Sequence, residues 1–251
     1  MDLTRLRMLL LAALLTASAP VRPAELTVSA AASLREAFTQ IGQAFEATNP
    51  GSRVLFNFAA SGQLVQQIRR GAPVDVLASA DQESMDRAER QNLILRNTRG
   101  DFARNRLVLA TPADAVAALS ALSDLTKVSV RRIAIGSPDS VPAGRYAKAA
   151  LEAAGLWSAL EPKLIQTQSV RQALDYLARG ETDAGFVYLT DALLAPQSVR
   201  IAFEVAMQDP ILYPIAVVRG GGNERLGRAF IAFLYSDTAQ KVFARYGFLQ
   251  R

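Results

Sequence analysis

Leu26-Thr27-Val28-Ser29-Ala30-Ala31-Ala32-Ser33-Leu34 is the stretch that decides the fold. Leu26–Ala30 reads as a short strand, and the small residues after it end that strand. Ser33 then opens a helix whose Leu34, Phe38, Ile41 and Phe45 fall on one face at the helical period. Strand, cap and helix form the repeating unit of an α/β protein, and the rest of the chain repeats it.

Asn49-Pro50-Gly51-Ser52 marks a turn, Val54–Phe58 the next strand, and Ser61 a helix carrying Leu64, Val65 and Ile68 that stops at Gly71. Asp75–Ala78 reads as a third strand, with Asp81 as the N-cap of the following helix. A second series begins at Arg106–Ala110. It runs through the strand Ile133-Ala134-Ile135, a helix over 143–154 ended by Gly155, and a helix over 169–179 closed by Gly180. The buried strand Gly185–Tyr188 follows. Leu212–Val218 is one more strand, interrupted by Pro214. The C-terminal region is helical, with Leu226, Ala229, Phe230 and Phe233 on one face and Gly247 as terminator. This alternation predicts two mostly parallel sheets flanked by helices, forming two lobes around a cleft. Residues 25–105 are expected in one lobe, 106–212 in the other, and 213–251 back in the first. The strands near 106–110 and 212–218 would carry the crossovers.

The 251 residues are half apolar, with 28 basic and 23 acidic side chains giving a formal charge of +5. The charges are scattered, which argues against a nucleic-acid footprint. Arg5 and Arg7 precede the apolar run Met8–Leu15 and a tract of small residues, the layout of a cleaved export signal over residues 1–24. That run is too short to span a bilayer, and no later segment reaches the ~18 apolar residues of a membrane helix. The sequence has no Cys and no His. Disulfides, a lipid-modified N-terminus, thiolate chemistry and Ser-His or Cys-His pairs are therefore excluded. No Gly-x-Ser-x-Gly elbow or Ser-x-x-Lys motif is present, and no carboxylate cluster suggests a metal site.

Four segments place a Ser or a backbone N–H where a helix begins: Ala30–Leu34, Ala60-Ser61-Gly62-Gln63, Val141-Pro142-Ala143-Gly144 and Ser169-Val170-Arg171-Gln172. Ser33 with Glu36, and Ser169 with Gln172, have capping-box spacing. Alone, each would be an ordinary cap. The alanines before Ser33 and Ser61, together with Gly62 and Gly144, would let a ligand approach the backbone. A helix N-terminus carries unpaired N–H groups and about half a positive charge. Four such ends converging would balance a dianion with no Lys or Arg. Arg69-Arg70 and Arg131-Arg132 read as solvated charges, Arg171 as pointing away from the site, and Asp75, Asp81 and Asp191 as caps or lobe contacts.

Seven collinear stretches resemble the periplasmic molybdate-binding proteins of ABC transporters. They are residues 26–34, Gly-Ala-Pro-Val-Asp-Val-Leu-Ala-Ser-Ala-Asp (71–81), Val-Pro-Ala-Gly-Arg-Tyr-Ala-Lys (141–148), Ser-Val-Arg-Gln-Ala-Leu (169–174), Gly-Phe-Val-Tyr (185–188), Tyr-Pro-Ile-Ala-Val-Val (213–218) and Arg-Tyr-Gly-Phe (245–248). The likeness covers essentially all of 25–251. It implies a class II periplasmic-binding-protein fold and a ligand held by neutral donors. Ser33 and Ser61 match serines giving hydroxyl and N–H. Ala143 and Val170 match positions donating through the backbone, and Tyr188 matches a tyrosine whose hydroxyl completes the cage. The family often has a run of serines where this chain has Ala60-Ser61-Gly62, so a neighbouring hydroxyl is absent here.

The lack of Cys and the export signal predict a periplasmic protein that is not lipid-anchored. The resemblance implies a monomer that binds molybdate or tungstate without a cofactor and delivers it to a membrane permease. Rival readings are a binder of sulfate, thiosulfate or a small organic acid, an exported enzyme such as a hydrolase, and a regulator's sensor domain. An organic acid would call for an Arg at the ligand positions, and none is there. An export signal and the lack of a DNA-reading helix pair disfavour the regulator.

Overall fold

The computed structural model describes residues 23–116 and 118–250. All but the last two positions of the expected export signal lie outside the described residues. β1 (Ala24–Ala31) runs through a 3-10 turn (Ala32–Leu34) into α1 (Arg35–Thr48). β2 (Ser52–Ala59) leads into α2 (Ser61–Arg69), and β3 (Val76–Ala78) into α3 (Gln82–Arg90). After β4 (Gly100–Asn105) and β5 (Leu107–Pro112) the pattern recurs. β6 (Ile133–Gly136) precedes α4 (Pro142–Ala153) and a short α5 (Trp157–Leu160). β7 (Leu164–Thr167) precedes α6 (Val170–Ala178), and β8 (Ala184–Tyr188) precedes α7 (Leu189–Ala192). β9 (Val199–Glu204), β10 (Ile211–Val217), α8 (Glu224–Leu234) and α9 (Asp237–Arg245) follow.

The strands form two five-stranded sheets, ordered β2-β1-β3-β10-β4 and β7-β6-β8-β5-β9. β1 pairs parallel with β2 and β3, while β10 lies antiparallel to both β3 and β4. β10 is thus the one strand of its sheet running against the others. β5 plays the same part in the second sheet, antiparallel to β8 and β9, while β6 pairs parallel with β7 and β8. The two lobes therefore share one topology. The register of β10 against β4 slips between Tyr213 and Pro214, where the imide has no N–H for the ladder.

β4, β7 and β9 were not anticipated from the sequence. Each is an edge strand, half-open to solvent and so without a strong apolar run. Leu34, Phe38, Ile41 and Phe45 are buried as the period requires. The Phe38 ring sits 5.6 Å from Phe102 of β4, 5.9 Å from Phe230 of α8 and 6.1 Å from Phe243 of α9. The C-terminal helices thus seal the core of the first lobe.

Candidate functional site

The strand ends of both sheets converge on one small cavity. It is lined by Ser33, Ser61, Ala143, Val170 and Tyr188, together with Ala31, Ala32, Ala59, Ala60, Ala80, Val141 and Pro142. No lining residue carries a charge. All five residues singled out in the sequence meet here, although Ser33 and Val170 are 137 positions apart. The equivalence between lobes extends to the site. Ser33 follows β1 as Ala143 follows β6, Ser61 follows β2 as Val170 follows β7, and Ala80 follows β3 where Tyr188 ends β8.

Each residue offers a donor, oriented by a different device. Ser61 is fully buried, and its oxygen accepts the Ala80 N–H at 3.0 Å. The hydroxyl proton is therefore directed away from that bond. Ser33 Oγ lies 2.9 Å from the Tyr213 hydroxyl. Tyr188 donates to the Ala80 carbonyl at 3.3 Å, a long bond for two oxygens and easily exchanged. Burial, then the neighbouring Tyr213, pushes the Tyr188 phenol well above its ordinary pKa, so it stays protonated.

Ala143 and Val170 contribute main chain. Pro142 opens α4 without an N–H, and the Gly144 and Arg145 N–H groups close on the Val141 carbonyl at 3.0 and 3.2 Å. The Ala143 N–H is a first-turn donor with no helical carbonyl behind it. Val170 is the first residue of α6, where Ser169 Oγ accepts the Gln172 N–H at 3.2 Å. That cap leaves the Val170 N–H unclaimed.

Three local expectations change. Ser33 sits inside a 3-10 turn and caps nothing, because its oxygen faces Tyr213 and Glu36 is engaged by Arg171. Gln172 reaches back to the Gln168 N–H at 2.7 Å, one residue before the cap. Gly62 and Gly144 admit protein rather than ligand. A Cβ on Gly62 would meet Ser140 O at 2.8 Å, and one on Gly144 would meet Gly136 O at 1.8 Å.

Arginines bridge the cleft outside the cavity. Arg145 of α4 bonds Asp81 Oδ2 at 2.7 Å and Ser84 Oγ at 2.8 Å in the opposite lobe. Asp81 also caps α3, accepting the Ser84 N–H. Arg171 of α6 bonds Glu36 of α1 at 3.0 Å and lies 2.7 Å from Asp191 Oδ1. The latter two atoms are not aligned for a hydrogen bond, so charge attraction holds them. Burial opposes the Arg171 charge, but Asp191 and Glu36 outweigh it and raise its pKa. Burial pushes the Asp191 carboxyl up to about 6 against the pull of Arg171. The lobes also meet through Gly62 N–H on Ser140 O at 3.0 Å. Asp75 ties lobe-one backbone, accepting from Thr27 and Asn223.

Sequence reasoning missed Ala80, Asn105, the role of Tyr213 and the partners of both cleft arginines. The repeated topology was the available signal for Ala80, since the end of β3 matches the end of β8. Asn105 lies on an unpredicted edge strand and had none.

The bacterial extracellular solute-binding protein family matches this chain over residues 26–249. The molybdate-binding protein ModA of Escherichia coli is 38% identical over 230 residues, covering 89% of this chain and 88% of that protein. ModA of Haemophilus influenzae is 34% identical over 229 residues, covering 90% of each. The solved periplasmic molybdate-binding protein of Azotobacter vinelandii aligns with a TM-score of 0.79 at 24% identity, over 90% of this chain and 99% of that one, a likeness of fold.

Proposed function

The chain belongs to the bacterial extracellular solute-binding protein family, and we propose that it captures molybdate for delivery to an ABC-transporter permease. Tungstate, nearly the same size and charge, would be a second guest. The observation carrying this reading is the cavity itself: two serine hydroxyls, a tyrosine hydroxyl and two helix-end N–H groups around a space with no charged wall. Such a lining suits a small anion that presents only acceptors. We assign Ser33, Ser61, Ala143, Val170 and Tyr188 as the ligands.

On this reading the anion docks against one lobe, and closure brings in the other set of donors while expelling water. Each hydrogen bond to a charged oxygen then strengthens. Arg145 and Arg171 hold the closed arrangement from outside. Sulfate is rejected by size, because fixed donors cannot all reach a smaller tetrahedron. Hydrogen phosphate is disfavoured because its proton needs an acceptor in a lining dominated by donors. We read the site as a binder rather than a catalyst, since Ser33 and Ser61 have no partnering base. The working protein is proposed to be a periplasmic monomer, released from its signal and free of a lipid anchor. Residues 25–105 with 213–251 would form one rigid half and 106–212 the other.

Thermal unfolding of the mature chain with molybdate, tungstate, sulfate, phosphate and simple carboxylates tests the proposal. A ligand at 100 times its Kd adds about 2.7 kcal/mol. Stabilisation by molybdate and tungstate alone is expected; equal stabilisation by sulfate overturns the assignment.

A further inference from the structure

One buried polar chain remains outside the cage. Asn105, the last residue of β4, accepts the Arg106 N–H on Oδ1 at 2.8 Å. Its Nδ2 donates to Thr190 Oγ1 at 2.9 Å and to the Tyr213 hydroxyl at 3.1 Å. The Tyr213 hydroxyl in turn lies 2.9 Å from Ser33 Oγ. All four side chains are buried, at 5, 2, 0 and 3% exposure for Asn105, Thr190, Tyr213 and Ser33.

We infer that Asn105 and Tyr213 are positioning residues that aim the Ser33 proton into the cavity, and thereby bias the site against protonated oxyanions. The inference rests on the molybdate reading above and deepens it. The directions of the bonds follow from elimination. The Arg106 N–H holds the amide oxygen, so the nitrogen must face Tyr213 and can only donate. The Tyr213 oxygen is thereby an acceptor, and its single proton has Ser33 Oγ as partner. The opposite arrangement, Ser33 donating to Tyr213, would strand the Tyr213 proton in a fully buried site. Burial also keeps the Tyr213 phenol protonated, well above its ordinary pKa. Ser33 thus receives a bond on its oxygen and sends its own proton toward the cavity it lines.

Ser61 is fixed in the same sense by the Ala80 N–H. Both serines then have one lone pair engaged and their protons aimed at the cavity. An anion that carries a hydrogen, such as hydrogen phosphate, then faces two serine protons where it would need an acceptor. Removing the Tyr213 hydroxyl returns a lone pair and rotational freedom to Ser33, and the cage gains an acceptor.

The test is isothermal titration of the full mature chain with molybdate and with inorganic phosphate. The variants are Tyr213→Phe, Ser33→Ala and the pair. Phe keeps the ring contacts with Phe102 and Phe248. Tyr213→Phe is expected to raise the molybdate Kd about tenfold while the phosphate Kd falls or holds, so the ratio between them shrinks. In the Ser33→Ala background the same substitution should change neither, a result that a purely structural role would not give. Equal factors for both anions, or an undiminished effect without the Ser33 hydroxyl, overturn the relay. Should Tyr213→Phe not fold, Asn105→Leu is read by the same cycle with the same outcomes. A wild-type chain that ignores molybdate overturns the functional reading instead, and the relay with it.

Discussion

In the first lobe the ends of β1 and β2 present Ser33 and Ser61, whereas the matching ends of β6 and β7 present Ala143 and Val170. One topology thus supplies donors in two ways. A hydroxyl can turn, so its direction must be imposed by a neighbour: Ala80 for Ser61, and Tyr213 for Ser33. A helix-end N–H cannot turn, and its direction is set wholly by where the helix is seated. On the proposed assignment, selectivity in the first lobe would therefore depend on side chains and their partners. In the second it would depend on helix placement, while the Ala143 and Val170 side chains pack in the core. Gly136 and Gly144 belong to that second mechanism, since they let α4 seat closely on the end of β6.

The largest effect should follow from unseating that helix. Gly144→Ala forces a methyl to 1.8 Å from the Gly136 carbonyl, which only backbone movement relieves. We expect a loss of about 3 kcal/mol of stability and of measurable molybdate binding, read by thermal melting and calorimetry. Retained affinity would show that α4 is not seated as the comparison requires. Next comes Ser61→Ala, which removes a donor to a charged guest and orphans the buried Ala80 N–H. The molybdate Kd should rise by about 100-fold; a change under threefold would remove Ser61 from the cage.

Val170 offers the sharpest contrast between lobes. Proline is tolerated at the first position of a helix, and Ser169 before it is already extended, as a residue preceding proline prefers. Val170→Pro should therefore fold normally yet weaken molybdate by about tenfold, while Val170→Ala leaves affinity unchanged. Equal effects from the two would mean that the side chain, not the N–H, does the holding.

The smallest effect concerns Asp191. Its carboxyl is raised from 3.8 to about 6, chiefly by burial. The folded chain thus binds the extra proton more tightly than the unfolded one. The stability this contributes is complete below about pH 4 and lost as pH rises through 6. Melting of the wild type should fall relative to Asp191→Asn across that window. Parallel curves for the two proteins would exclude Asp191 as the titrating group.

Much of this molecule is legible in its sequence because the signals are local. The α1 stripe, the Asp81 cap and the glycines that end α2 and α6 at φ +88° and +66° each need only a few neighbouring residues. The small residues beside Ser33 and Ser61 marked the strand ends of the site. What stayed hidden is either solvent-edged, as in β4, β7 and β9, or depends on partners distant in the chain. Arg171 finds Glu36 only after both lobes form, and Tyr213 finds Ser33 across 180 positions. The spacing of Ser33 and Glu36 misled for the same reason, since each had a stronger partner elsewhere.

Asn105 stands on the strip of chain that joins the halves. It is tied to Thr190 on one side and Tyr213 on the other. Were the halves to swing apart about that strip, the first of these links would be pulled, and the strain would reach the Ser33 proton without touching a guest. On the proposed function, release would then be more than the widening of a gap: the movement that uncovers the anion would also relax the alignment that had favoured it.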